Sequence, residues 1–350
     1  MVVENDTLLF SLVRICSKFN EVDNTVGLIV NPRSGGDVRR AVAAAARSTL
    51  EDKVSIVRRI VLGSMAAGVT TFHANYEPMQ IVRRATETIR DINVVYVNDS
   101  MTFTEEDSTI AARLMKEKEV PCVAVLGGDG TNRAVTKGWM NIPVIPISTG
   151  TNNAFPVFIE PTVAGTALGL VSTGAVDLED VSNPSKLIHV ADHEGDIDLA
   201  LIDAVAVDDP YVGSLELFDP QTMVLAILTQ ADPIAIGFSS VGGLLHPVAG
   251  EDDHALLVRF APIGSGRDDM VIKAPTAPGH YDNIGIHEVS TLPFGETVAV
   301  HGEVLLAFDG ERKLRVRKGE IVHLSARRDG PKVIDPARAV TLGRSVMINP

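Results

Sequence analysis

The sequence is nearly without cysteine: its 350 residues include only Cys16 and Cys122. Their spacing matches no metal-ligand pattern and Cys122 sits inside an apolar run, which excludes a disulfide framework and a thiolate metal centre as organising features. Buried thiols in a reducing compartment are the expectation. Positive charge is also short, with 31 Lys and Arg against 45 Asp and Glu and a net charge of −14. Such a chain lacks the basic surface that nucleic acid or an anionic membrane requires. A small anion such as a nucleotide is still open to it, because local amides and a metal ion can outweigh the global field. No apolar stretch reaches the roughly 18–20 residues of a membrane span. The start, "MVVENDTLLFSLVRICSKF", is acidic and broken by Arg14, and does not read as a signal peptide. There is no internal repeat and no low-complexity tract. A cytoplasmic protein with neither nucleic-acid nor membrane partner is expected.

What the chain has is apolar material enough for a real core, 45% of its residues, over a length that suggests two domains or one unusually large one. Its first half alternates two patterns. "VGLIVNP" (26–32), "NVVYVND" (93–99), "CVAVLGG" (122–128) and "IPVIPIS" (142–148) are short β-branched runs that end in turn residues. "DVRRAVAAAARSTL" and "EEDSTIAARLMKEKE" read as helices, the second with Thr104 and Asp107 in capping positions and Ile110, Ala111, Leu114 and Met115 on one face. Continuous apolar strands alternating with amphipathic helices imply a parallel sheet covered on both sides. The stretch from 60 to 90 is less regular and reads as a helix-bearing excursion. After about residue 155 the texture changes to strands of four to eight residues with turn signals between them, among them "DIDLALIDAVAV", "TMVLAILT", "EVLLAFDG" and "KLRVRKG". That spacing predicts an antiparallel sandwich. The expected organisation is an extension (1–25), a Rossmann-like α/β domain (26–155), an all-β sandwich (156–330) and a tail (331–350) returning to the first domain, with a cleft between the domains.

Three polar loops follow predicted parallel strands and should meet on one edge of the sheet. The first is Asn31, Pro32, Arg33, Ser34, Gly35 and Gly36. The second, "VLGGDGTNR", sets Asp129 among Gly127, Gly128 and Gly130, ahead of Thr131 and Asn132. The third carries Ser148, Thr149, Gly150, Thr151, Asn152 and Asn153. Glycines there free the backbone for unusual conformations and for close approach to a ligand. A loop feeding a helix N-terminus offers free N–H groups to an anion. Any one of these loops alone is an ordinary strand–helix turn; the coincidence of three is the signal.

Together "NPRSGG", "GGDGT" and "STGTNN" resemble the NAD kinase / diacylglycerol kinase superfamily, whose members phosphorylate a hydroxyl with ATP. "GGDGTN" followed closely by "GTNNAFP" looks most like its ATP-NAD kinase-like, acetoin-catabolism protein X branch. The resemblance runs from about residue 26 to 325. It implies a nucleotide-binding α/β domain, a β-sandwich, and ATP with Mg²⁺ between them. Carried over, it nominates Asn31, Ser34, Gly35, Gly36, Gly127, Gly128, Gly130, Thr131 and Asn132 for the phosphates. It nominates Thr149, Gly150, Thr151, Asn152 and Asn153 for the nucleotide. Asp129 matches the family's functional aspartate, as base or metal ligand. Asp309 and Glu311, in "LAFDGERKLRV", resemble the "DGE" turn of the lipid-kinase side, although "DG" between two strands is also a common hairpin turn. A small-molecule acceptor (NAD or another hydroxyl compound) and a homo-oligomer are implied as well.

The acceptor side departs from the NAD kinase pattern. Where those enzymes place Asn-Glu on a sandwich strand, this sequence has Ile202 and Asp203, and "DPIAIGFS" stands where Gly-Ser-Thr-Ala-Tyr belongs. An apolar Ile202 cannot hydrogen-bond an adenine, which leaves Asp203 as the one candidate acceptor contact. Two readings follow: a small-molecule kinase, or a nucleotide-binding sensor or accessory protein of a catabolic operon that lacks acceptor chemistry. His189 and His193 have no third ligand, "IGSGRDD" has no helix after it, and Trp139 and Phe155 read as packing residues.

Overall fold

A computed structural model describes residues 24–34, 49–149, 153–209 and 219–348. Elements are numbered over these residues. The first half holds β1 (Thr25–Val30), α1 (Leu50–Ala66), β2 (Thr71–Ala74), α2 (Ile81–Thr86), β3 (Asn93–Tyr96), α3 (Glu106–Glu117), β4 (Val123–Gly127), α4 (Asp129–Gly138), β5 (Pro143–Ser148), α5 (Pro161–Ser172), α6 (Leu178–Val181) and β6 (Ser182–Pro184). Their sheet runs β3-β2-β1-β4-β5 in parallel, then takes β18 (Lys332–Ile334) parallel to β5 and β6 antiparallel to β18. Every residue of β1, β4 and β5 is buried, which is why their sequences are unbroken apolar runs. One face packs Val57, Ile60, Leu168 and Ala339 against β1, β2 and β4, with Ala339 supplied by α8 (Pro336–Ile348). The other face packs Met115, Val135 and Trp139 from α3 and the α4 end.

The second half is two antiparallel sheets. One runs β12-β13-β11-β10-β9-β15-β16: β9 (Asp203–Val207), β10 (Met223–Leu228), β11 (His254–Phe260), β12 (Met270–Ala277), β13 (His280–Pro293), β15 (Val304–Phe308) and β16 (Glu311–Val316). The other runs β14-β17-β7-β8: β7 (Leu187–Ala191), β8 (Asp196–Ala200), β14 (Thr297–His301) and β17 (Ile321–Arg327). Val190, Val300 and Leu324 of the smaller sheet share a core with Ala206, Ile227 and Phe308 of the larger. A helix, α7 (Phe238–Leu245), packs Val241 on the outer face of the larger sheet. The expected α/β half followed by an antiparallel sandwich is the observed architecture.

Several local expectations change. The stretch from 60 to 90 contains a sheet strand, β2, hidden in the sequence because it is four residues long and carries Thr71 and His73. α3 starts at Glu106, whose N–H donates to Thr104 Oγ1 at 3.2 Å as expected of a capping hydroxyl, but Asp107 reaches back to the N–H groups of Thr102 (2.6 Å) and Phe103 (2.9 Å) rather than to Thr104. "DIDLALIDAVAV" is two strands in two different sheets, divided at Leu201 and Ile202. α5, α6 and β6 belong to the core and sheet of the first half, so the chain crosses over near Ser185 and not at 155/156. There the two connecting segments bond to each other, Ser185 N–H to Pro331 O at 2.8 Å and Gly330 N–H to Ser185 O at 3.0 Å. The helix expected from "DVRRAVAAAARSTL" lies almost wholly outside the described residues.

Candidate active site

Strand order reverses between β1 and β4, and the crevice beyond the carboxyl ends of these two strands is where open α/β sheets hold ligands. Because β1, β4 and β5 are parallel and adjacent, their three following loops must emerge together. They also bond to one another. Asn31 Nδ2 donates to Thr131 Oγ1 at 2.8 Å, tying the first loop to the second. Thr149 Oγ1 donates to Ser34 Oγ at 2.8 Å, tying the third to the first. Asn153 Nδ2 donates to Ser148 Oγ at 2.9 Å. Gly35, Gly36, Gly150, Thr151 and Asn152, nominated from the sequence, lie outside the described residues.

The second loop becomes the head of α4. Gly128 is its N-cap in extended backbone and supplies no side-chain cap, so the first-turn amides of Asp129, Gly130 and Thr131 head the helix without a carbonyl of their own helix to bond. The glycines here answer to crowding. A methyl group on Gly127 would lie 2.4 Å from Thr131 Cβ, and one on Gly130 would lie 2.9 Å from Glu311 Oε1. Asn132, expected near the phosphates, instead turns back into its own helix, its Nδ2 donating to Gly128 O at 3.0 Å. Asp129 is half-buried. Its carboxylate accepts from Ala154 N–H at 3.1 Å and Phe155 N–H at 2.9 Å, and so pins the third loop.

The antiparallel half brings a second turn to the same place. Phe308 pairs with Glu311 across the β15–β16 hairpin, whose two central residues, Asp309 and Gly310, have φ of 49° and 79°. Asp-Gly with both φ positive is the tight hairpin turn that the dipeptide predicts. The turn is also more than a connection. Asp309 is 7% exposed, and its carboxylate accepts from Leu201 N–H (3.0 Å) and Ile202 N–H (2.8 Å), the point at which the chain passes from β8 to β9. Burial, opposed by those two amides, raises its pKa to about 7; the charge of Asp129 pushes the same way and the Arg133 guanidinium opposes it. Asp129, Glu311 and Asp309 therefore meet from opposite halves of the molecule.

Asp203 does not reach outward. It is 9% exposed and accepts from Gly310 N–H at 3.3 Å, and the Asp309 N–H donates to its carbonyl at 3.0 Å. Ile202 packs with Phe155, Leu187, Leu199 and Leu201 in an apolar cluster. The two positions compared with the NAD kinase acceptor pair thus hold the hairpin turn and the junction together.

Two residues of the site escaped the sequence reading. Lys53 of α1, 3% exposed, donates its Nζ to Pro32 O and Ser34 O, each at 2.6 Å, and clamps the first loop. Arg133, one turn after Asp129 and 1% exposed, reaches across to the antiparallel half. Its position four residues after a functional aspartate at a helix start was the available signal. The discounted features are structural: His189 lies between Asp196 (3.3 Å) and Asp329 (2.9 Å), and Trp139 and Phe155 are buried among aliphatic side chains. Among the described residues no three His, Cys, Asp or Glu side chains gather as a metal cluster, and no helix is long and apolar enough to cross a membrane.

Known proteins match this arrangement. The family described as ATP-NAD kinase N-terminal domain matches residues 26–176, and that described as acetoin catabolism protein X C-terminal domain matches residues 186–329. Acetoin catabolism protein X of Cupriavidus necator is 33% identical over 307 residues, covering 84% of this chain and 85% of its own. The crystal structure of yeast NADH kinase complexed with NADH superposes with a TM-score of 0.53 at 14% identity, covering 91% of this chain and 86% of that one. At that identity the likeness is one of fold.

Proposed function

Since the chain belongs to the acetoin catabolism protein X family, on an NAD kinase-like fold, we propose that it transfers the γ-phosphoryl group of ATP to a hydroxyl of a small molecule. The observation that carries this reading is the meeting of Asp129, at the head of α4, with Asp309 and Glu311, on a hairpin of the other half. Phosphoryl transfer needs positioned phosphates, neutralised charge and a group to take the acceptor proton. In this reading the first-turn amides of α4 face the phosphates, with Asn31, Ser34 and Thr131 fixing the loops that bound them and Thr149 and Asn153 on the nucleotide side. The fit to Mg²⁺ is of the kind that ion favours, one or two carboxylates completed by phosphate oxygens, for which Asp129 and Glu311 have the right oxygen donors. When bound, Mg²⁺ would offset phosphate charge. Asp129 serves as metal ligand or base. Asp309 stands behind them: its carboxyl is taken up by the Leu201 and Ile202 amides and so fixes the hairpin that carries Glu311.

The acceptor in this reading is smaller than or different from NAD, because Ile202 and Asp203 are taken up by the junction and the turn. That same observation favours the second reading, a nucleotide-binding sensor or accessory protein. Incubating the purified protein with Mg-[γ-³²P]ATP and, separately, NAD, acetoin and small polyols distinguishes them. Label transferred to any acceptor, and lost in Asp129→Asn, supports the kinase; ATP binding with no transfer to any of them supports the sensor. A homo-oligomer is part of the proposal and is read by light scattering.

A further inference from the structure

Arg133 is the largest fully buried side chain among the described residues, and burying a guanidinium is costly unless its donors are met. The side chain starts on α4 in the parallel half and ends in the antiparallel half. Its Nε donates to Leu199 O at 2.7 Å and its Nη2 to Asp198 Oδ1 at 2.6 Å, both on β8. The guanidinium carbon stands 5.3 Å from the centre of the Phe308 ring, the residue immediately before Asp309. Nη1 is buried without a hydrogen-bond partner, with Glu105 Oε2 no nearer than 4.0 Å. Leu199 is two residues from Leu201, whose amide holds Asp309. Along α4, Asp129 and Arg133 lie on one face. A single planar fork thus touches the helix that presents one carboxylate and both segments that hold the other.

We propose that Arg133 is a positioning residue for the phosphoryl-transfer site: it docks α4, and with it Asp129, onto the β8 and β15 ends that fix Asp309. The proposal rests on the kinase reading for its catalytic consequence and on geometry alone for its docking consequence. A planar guanidinium suits the task because its donors have fixed directions, so the docked geometry is specified in both distance and angle. A lysine keeps the charge and loses the fork. Misplacement of about 1 Å between reacting groups can cost on the order of 100-fold in rate.

The test uses Arg133→Met and Arg133→Lys in the full-length protein, with hydrogen exchange and steady-state kinetics. In Arg133→Met the amides of Leu201 and Ile202 should exchange at least tenfold faster, while those of β1 and β2 keep their wild-type rates. The kcat should fall about 10–100-fold with the KM for ATP within twofold of wild type, and Arg133→Lys should recover part of both effects. Exchange at Leu201 and Ile202 unchanged in Arg133→Met would overturn the docking role. A fall in ATP affinity matching the fall in kcat would mean general loosening and would overturn the positioning role. If Arg133→Met does not fold, Asp198→Ala removes one partner of the fork and should give the same pattern at smaller size; no change there overturns the proposal. Wild-type protein that transfers no phosphate to any acceptor overturns the kinase reading alone, because the exchange measurement still decides the docking.

Discussion

Two turns carry the acidic groups of this site, and they are built on opposite principles. The first, around Asp129, opens a helix in the parallel half. Its residues are half-buried, its glycines accept close neighbours, and its carboxylate reaches out to the amides of Ala154 and Phe155. The second, around Asp309, closes a hairpin in the antiparallel half. There the carboxylate points inward, is 7% exposed, and ties together the point where β8 gives way to β9. One turn sets its charge against the amides of a neighbouring loop; the other holds its charge against the amides where one strand gives way to the next. The difference teaches that a carboxylate at a site can be chemical and architectural at once, and that the two roles separate by what removal costs.

The largest expected effect is on the first turn. Asp129→Asn should lower phosphoryl transfer by about 10²–10⁴-fold while the protein stays folded, because an amide oxygen can still accept from Ala154 or Phe155. Activity equal to wild type in that variant would remove Asp129 from the chemistry. The second turn should answer through stability. Asp309→Ala leaves the buried Leu201 and Ile202 amides without their acceptor, at about 1–3 kcal/mol each, and urea unfolding should show a loss of that order. A loss as large in Asp129→Asn would erase the contrast.

The pH dependence sharpens the same comparison. Burial moves the pKa of Asp309 from an ordinary 3.8 to about 7 in the folded protein, so between those values the folded state holds a proton that the unfolded state releases. Stability from this group is present at low pH and is lost as pH rises between about 4 and 7. Asp309→Asn cannot ionise and should flatten that decline, measured as urea midpoints at intervals across the range. His189 works in the same direction at higher pH, since its bond to Asp329 raises its pKa above 6.5, and a residual slope there belongs to it. The smallest effect concerns ligands. Mg-ATP should raise the melting temperature, and NAD at equal concentration should leave it within error, because Ile202 packs in an apolar cluster and Asp203 accepts from the Gly310 N–H of the hairpin turn. A clear NAD-induced shift would restore NAD as the acceptor.

Most of the fold was readable because the two halves have different periods. Fully buried parallel strands give unbroken apolar runs, and β1, β4 and β5 stand out for that reason. β2 did not, being short and carrying a threonine and a histidine. The division between β8 and β9 was invisible because "LALI" continues the apolar run while the chain changes sheets. At the site, Asp129 could be found from its glycines, since a charge in a Gly-rich turn after a buried strand is unusual. Asp309 was visible as a turn but not as a buried carboxyl, because its burial depends on Leu201 and Ile202, over a hundred residues away in sequence. Lys53 was missed because it acts through backbone carbonyls, which leave no mark on composition or spacing, and Arg133 because its partners, Asp198 and the Leu199 carbonyl, lie 65 and 66 residues away in sequence.

The central claim is that the two turns form one reacting unit, and a double-mutant cycle on phosphoryl transfer tests it. Asp129→Asn, Asp309→Asn and the double variant are measured with the same acceptor under Mg-ATP saturation. Residues that act as a unit are not additive in their effects. The account predicts a double variant no slower than the slower single one, within a few fold. Losses that multiply, each variant reducing the rate by the same factor with or without the other, would show two independent groups and contradict it.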